Sequence, residues 1–144
     1  MAIRTAKNLW IRAGDMSGPP SARHQIEFPN DVAEFFRASE RKSRTVWIRV
    51  RQRGPAWSRP LAYRGTDYGQ WAEMWRLGLP TPRMGGPTYA GRVIRFERVR
   101  EAGNTYYRLH VSDLGSADSQ SWRIASGANA GVTGGPFGRE YGFW

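Results

Sequence analysis

The chain has 144 residues and a formal net charge of +10, carried by 20 arginines and two lysines against 12 carboxylates, and it contains no cysteine. The absence of cysteine removes disulfides, thiolate metal sites and cysteine nucleophiles together, and the length fits one domain with no room for a second, catalytic one. Apolar residues make up 40% and include seven tryptophans, enough for a packed core.

Guanidinium grips phosphate oxygens in a planar fork, reads guanine edges and stacks on aromatic rings, so this excess of arginine over lysine points to nucleic acid. A high-GC genome would shift the same ratio, but it would not create the net charge. The opening stretch MAIRTAKNLWIRAGD holds no apolar run suited to a signal peptide. Nothing approaches the ~20 apolar residues of a membrane span, and the expectation is a cytoplasmic protein without a membrane partner.

NLWIR, from Asn8 to Arg12, predicts a short strand, and the Gly-, Pro- and Ser-rich AGDMSGPPSA after it predicts an exposed loop. RHQIEF, from Arg23 to Phe28, alternates polar and apolar residues as a strand does, and Pro29 with Asn30 offers a turn and a helix N-cap. In DVAEFFRASE, Val32, Phe35 and Phe36 share one helical stripe while Asp31 and Glu34 favour the helix start.

TVWIRVRQRG, from Thr45 to Gly54, has the clearest period of two: Val46, Ile48 and Val50 turn to a core, while Trp47, Arg49, Arg51 and Arg53 form a cationic face. LAYRG, from Leu61 to Gly65, predicts another strand. In TDYGQWAEMWRLGLP, Tyr68, Trp71, Met74 and Trp75 stand at helical spacing, and a helix and an aromatic-rich loop both fit. AGRVIRFERV and NTYYRLHVSD predict two strands joined through REAG as a hairpin, and SWRIAS predicts a last strand. The tail GANAGVTGGPFGREYGFW is too glycine-rich for a helix and too aromatic at its end for a solvated tail, so it should pack.

The sum is about six or seven short strands with one or two helices, a mainly β fold built as an open antiparallel barrel or sandwich. A parallel βαβ arrangement needs crossover helices that the sequence lacks.

Catalytic signatures are sparse. A metal-dependent nuclease needs clustered carboxylates and a nearby lysine, and no lysine follows Lys42. Asp113 and Asp118 lie in SDLGSAD, which reads more simply as a turn, and His24 and His110 stand in no metal-binding pattern. Serines occur in no G-x-S-x-G elbow, and GGPFGREYG lacks the G-K-[ST] of a P-loop. Binding therefore outranks chemistry, with no cofactor and no metal expected.

Three words of the chain, in order, are NLWIRAGDMSGPPSARHQIEFP, LAYRGTDYGQWAEMWRLG and GVTGGPFG. Together they resemble the N-terminal effector domain of EcoRII-type (type IIE) restriction endonucleases, a DNA-binding pseudobarrel of the plant B-three type. The His-Gln pair is the distinctive part. The resemblance spans most of the chain at low identity and in short motifs.

It implies an open barrel that grips the major groove with two arms, reads a CCWGG-like site, and belongs to a larger restriction enzyme whose Mg-dependent catalytic domain lies outside these residues. Carried over by position, Arg12, Asp15, Ser21, Arg23, His24 and Gln25 fall in the first arm. Tyr63, Arg64, Asp67, Tyr68, Gln70, Trp71, Glu73 and Arg76 fall in the second. The side chains suit base reading: arginine forks to guanine, glutamine bonds adenine, and a carboxylate accepts from cytosine N4. The chain departs from the family where the second arm should be strongly basic, since Gln70, Trp71, Glu73, Met74 and Trp75 stand there. Arg49, Arg51 and Arg53 are expected on phosphates.

Two other readings compete. One is an RNA or single-strand binder stacking bases on Trp10, Trp47, Trp57 and Trp71. The other is a small nuclease that groups Arg108, His110 and Asp113 at one strand end.

Overall fold

In the computed structural model, residues 1–16, 23–38, 41–65, 73–133 and 138–144 are described. Among them run nine strands and two short helices: β1 (Asn8–Arg12), β2 (Gln25–Pro29), α1 (Asn30–Ala33), β3 (Arg44–Arg49), β4 (Ala56–Gly65), β5 (Met74–Gly78), β6 (Arg92–Glu101), β7 (Asn104–Asp113), α2 (Ala117–Ser126), β8 (Ala130–Val132) and β9 (Glu140–Phe143). The fold is mainly β. All strands join one sheet in the order β2-β5-β4-β3-β7-β6-β1-β9-β8.

Every pairing is antiparallel except β3 with β7, which run parallel and share only two register pairs, Ile48 with Tyr107 and Arg49 with Arg108. Two antiparallel ladders thus meet at one short parallel seam.

The sheet curls. A flat sheet would hold β2 and β6 roughly 24 Å apart at the usual strand spacing. Yet the Phe36 ring lies 5.7 Å from Phe28 of β2 and 5.1 Å from Phe96 of β6. Phe36 follows α1 in a 3-10 turn, Glu34–Phe36, and with Phe35 and Tyr107 it plugs the concave side. Leu9, Ile11, Ile26, Val46, Ile48, Leu61, Trp75, Leu77 and Ile94 complete that core at 3% exposure or less. Arg98 ties the plug down by donating to the carbonyls of Phe35, Arg4 and Ala6, while its guanidinium lies 4.6 Å over the Phe35 ring.

A second, smaller core forms on the other face of the sheet. Trp10, Val93 and Trp122 are buried there with Trp144 against them, and Trp10 Nε1 donates to Ser126 Oγ at 3.1 Å. A Cβ on Gly142 would stand 2.4 Å from Trp10 Nε1, so glycine lets β9 pass beneath that ring.

Several expectations need correction. SWRIAS is helical, not a strand: Ser116 caps α2 by accepting from the Ser119 amide at 3.1 Å, Asp118 sits in the first turn and Arg123 in the last. Trp122 is buried while Ile124, which strand alternation would place beside it, is 80% exposed.

Met74–Gly78 is a strand, which rules out the helical alternative there, because β2 and β4 pair with it on both sides. Tyr68 and Trp71 lie outside the described residues. The helix after Asn30 is one α turn and one 3-10 turn, stopped by Arg37 at φ 57°. Asn30 is not its N-cap: its side chain accepts from Trp75 Nε1 at 2.6 Å and donates to Glu73.

β3 ends at Arg49, so Arg51 and Arg53 leave the strand face for the exposed turn that Gly54 closes on the Arg51 carbonyl. The β6–β7 hairpin turns on Ala102 and Gly103 alone, at φ 52° and 81°, the left-handed pair that matches strand twist. The tail does pack, as β9 against β1.

Candidate nucleic-acid interface

β2 and β5 form the corner at which Arg23, His24, Gln25, Tyr63, Arg64, Glu73 and Arg76 of the expected reading residues lie. Their register sets Gln25 against Gly78, Glu27 against Arg76 and Pro29 against Met74. The connection from β1 enters at the Gln25 end, and the connection from β4 enters at the Met74 end. Four residues of strand separate those ends, about 13 Å.

At the first end, Arg23 is exposed, while His24 and Gln25 are half-buried. The His24 carbonyl accepts from the Leu79 amide at 2.7 Å, its ring meets Tyr89 edge-on, and its Nδ1 is buried without a hydrogen-bond partner. Arg12 and Asp15 lie farther round, in an open cleft of about 640 Å³ shared with Gly14, Arg139 and Glu140. Arg12 stands 3.9 Å from Glu140. Burial pushes the Arg139 guanidinium below its usual pKa, and the carboxylates of Glu27 and Asp15 oppose that shift.

At the second end, Tyr63 packs against Trp75 with centroids 5.1 Å apart, and Arg64 is half-buried where β4 shifts register against β5. Both oxygens of Glu73 are engaged: Asn30 donates to Oε2 at 2.9 Å, and the Arg41 guanidinium is 2.9 Å from Oε1. The Asn30 hydrogen bond, then that of Tyr63, then Arg41, hold this carboxyl below its ordinary pKa. Arg76 donates from Nε and a terminal nitrogen to Glu27 Oε1, at 2.8 and 2.6 Å. Ser21, Asp67, Tyr68, Gln70 and Trp71 lie outside the described residues.

The expected phosphate residues separate. Arg49 stays on the outward face of β3, 4.3 Å over the Tyr106 ring. Arg51 instead lines a cleft of about 250 Å³ with Trp57 and Arg83, and Arg53 is exposed in the turn.

The competing constellations change as well. Trp10 is 2% exposed and packs in the second core, so it offers no stacking face, whereas Trp47 is 49% exposed. Arg108, His110 and Asp113 do not group: Asp113 pairs with Arg92 at 3.0 Å and His110 with Glu97 at 3.2 Å. Burial and then Arg95 lower the His110 pKa. Among the described residues, no three of His, Asp and Glu come together as a metal site, and no helix is long and apolar enough to cross a membrane.

Sequence reasoning missed Glu27 and Arg139. Neither carries a local signal, because strand register and the return of the tail decide what each meets. No family model matches the chain, and neither a curated protein nor a solved structure matches it.

Proposed function

We propose that the chain binds double-stranded DNA sequence-specifically in the major groove, as the recognition domain of a type II restriction endonuclease built on a B-three-like pseudobarrel. The connection from β1 to β2, with Arg12, Arg23, His24 and Gln25, is one reading arm. The connection from β4 to β5, with Arg64, Glu73 and Arg76, is the other. Arg49, with Arg51 and Arg53 from the following turn, adds phosphate contacts that give affinity without sequence information. Cleavage in this reading belongs to another domain of the parent chain.

The observation that carries the proposal is the β2–β5 pairing. It sets the points where the two connections join the strand pair, Gln25 and Met74, about 13 Å apart, close to the ~12 Å width of the major groove. The net charge of +10 supplies the long-range attraction to the duplex.

A mobility-shift competition at fixed, moderate salt tests it. The expected result is a preference of about tenfold or more for a CCWGG duplex over a scrambled one. Equal affinity for both overturns the specificity. Arg23→Ala and Arg64→Ala are each expected to cost ~1–3 kcal/mol on the preferred duplex and much less on the scrambled one.

A further inference from the structure

The outward face of the β3–β7 seam carries an open cleft of about 530 Å³, lined by Trp47, Arg49, Glu101, Asn104 and Tyr106 among others. We propose that this cleft receives an unpaired nucleotide of a single-stranded nucleic acid, its base stacked on Trp47 and its phosphate held by Arg49 and Arg108. This site lies apart from the duplex-reading corner and shares only Arg49 with the duplex phosphate contacts; a base paired within a duplex is already stacked and cannot lie on Trp47.

Three observations converge on it. Strand alternation drives Val46 and Ile48 inward and leaves Trp47 outward, the one exposed aromatic ring among the described residues. Every base presents a π-face to such a platform, whatever its identity.

The second observation is a charge conflict. Arg49 and Arg108 are direct register partners across the seam, and like charges so placed repel. Each has a buried Nε without a hydrogen-bond partner. Arg108 has no hydrogen bond or ion pair among the described residues. Glu97, its register partner on β6, turns instead to His110 at 3.2 Å and Lys7 at 4.0 Å. An anion held by both guanidiniums offsets the repulsion between them.

The third is preorganisation. Arg49 is fixed over the Tyr106 ring and donates to its hydroxyl at 3.2 Å, and that hydroxyl donates to Glu101 at 3.1 Å. The guanidinium is therefore held before any ligand arrives. The cleft volume lies within the ~300–1,000 Å³ that small-ligand sites occupy. Glu101 and Asn104 on its wall provide an acceptor and a donor for a base edge.

Fluorescence anisotropy with labelled single strands of about eight nucleotides, DNA and RNA in parallel, tests the site on the intact chain at fixed salt. Trp47→Ala is expected to weaken binding about tenfold or more, and Trp47→Phe, which keeps a ring, to recover most of it. Arg108→Gln should weaken binding and reduce the log-log salt slope by roughly 0.7, the value for one phosphate of a single strand. A strand with abasic sites should bind about tenfold more weakly than a normal one.

An unchanged affinity for Trp47→Ala, or equal binding of abasic and normal strands, overturns the proposal. The Trp47 variants should keep duplex affinity within about twofold, as expected for separate sites, and an equal loss on duplex and single strand also overturns a distinct site. Single-strand binding without any duplex preference counts against the duplex reading alone.

Discussion

At the β2–β5 corner, Arg76 is held by Glu27 and Arg41 by Glu73, whereas at the β3–β7 seam Arg49 and Arg108 face each other and Arg108 meets no carboxylate among the described residues. The same residue type is paired with a carboxylate in one region and set against a second arginine in the other. Register makes the difference, since β2 sets a glutamate opposite arginine and β7 sets a second arginine there. A ligand that engages Arg76 or Arg41 at the corner must exchange an existing ion pair for its own. At the seam it only adds one, so the corner favours selectivity and the seam favours affinity.

The largest expected effect tests whether the two regions share one foundation. Phe36 contacts β2, β6 and β7 at once, and Phe36→Ala should cost ~3–5 kcal/mol in urea unfolding, with binding lost at both regions together. Loss at one region alone would mean that the two ladders fold independently.

Glu27→Gln is expected to act in the middle range. Freeing Arg76 from its ion pair should raise affinity for scrambled duplex severalfold and steepen the salt slope by about 0.9, one phosphate on duplex DNA. A variant that loses stability with no change in DNA affinity would make Arg76 a structural partner of Glu27 only.

The smallest effect is a pH dependence near the seam. His110 has its pKa lowered in the folded chain by burial and then by Arg95, against the opposing pull of Glu97. The unfolded chain therefore binds the proton more readily. This contribution is complete above the unfolded value near 6.5 and declines as pH falls through that value toward the lower folded one. The loss should stay below about 1 kcal/mol because the ring is partly solvated. His110→Gln should flatten the melting temperature between about pH 7 and 5 while leaving the neutral-pH value nearly unchanged.

Much of the sheet was legible where the local pattern agreed with the final environment. NLWIR, the β6–β7 hairpin and the inward Val46 and Ile48 follow from alternation and turn residues alone. SWRIAS misled because Trp122 and Ile124 alternate like a strand, although Ser116 with Asp118 two residues later was available as a helix start. At Met74 and Trp75 neither the helix nor the loop that the sequence left open is right, because these residues also satisfy a period of two. Trp75 and Leu77 against Met74 and Arg76 alternate as well as any strand, and flanking strands on both sides decide the matter.

The candidate site was legible only in part: Arg49 and Trp47 could be assigned to one outward face by period two. Arg76 was placed on the second arm without its ion-pair partner, because nothing near it in the chain announces Glu27, 49 residues away.

By itself, the sequence determined a basic, aromatic-rich, mainly β chain, with strands where apolar residues alternate and turns where glycine and proline collect. Those features depend on side-chain chemistry and on neighbours a few residues away. Only the tertiary structure decided that β3 and β7 run parallel, that Phe36 joins β2 to β6 across a curled sheet, and which arginines meet carboxylates. These depend on pairings between segments distant in the chain, which are chosen by the total burial and hydrogen bonding of the sheet rather than by any local pattern.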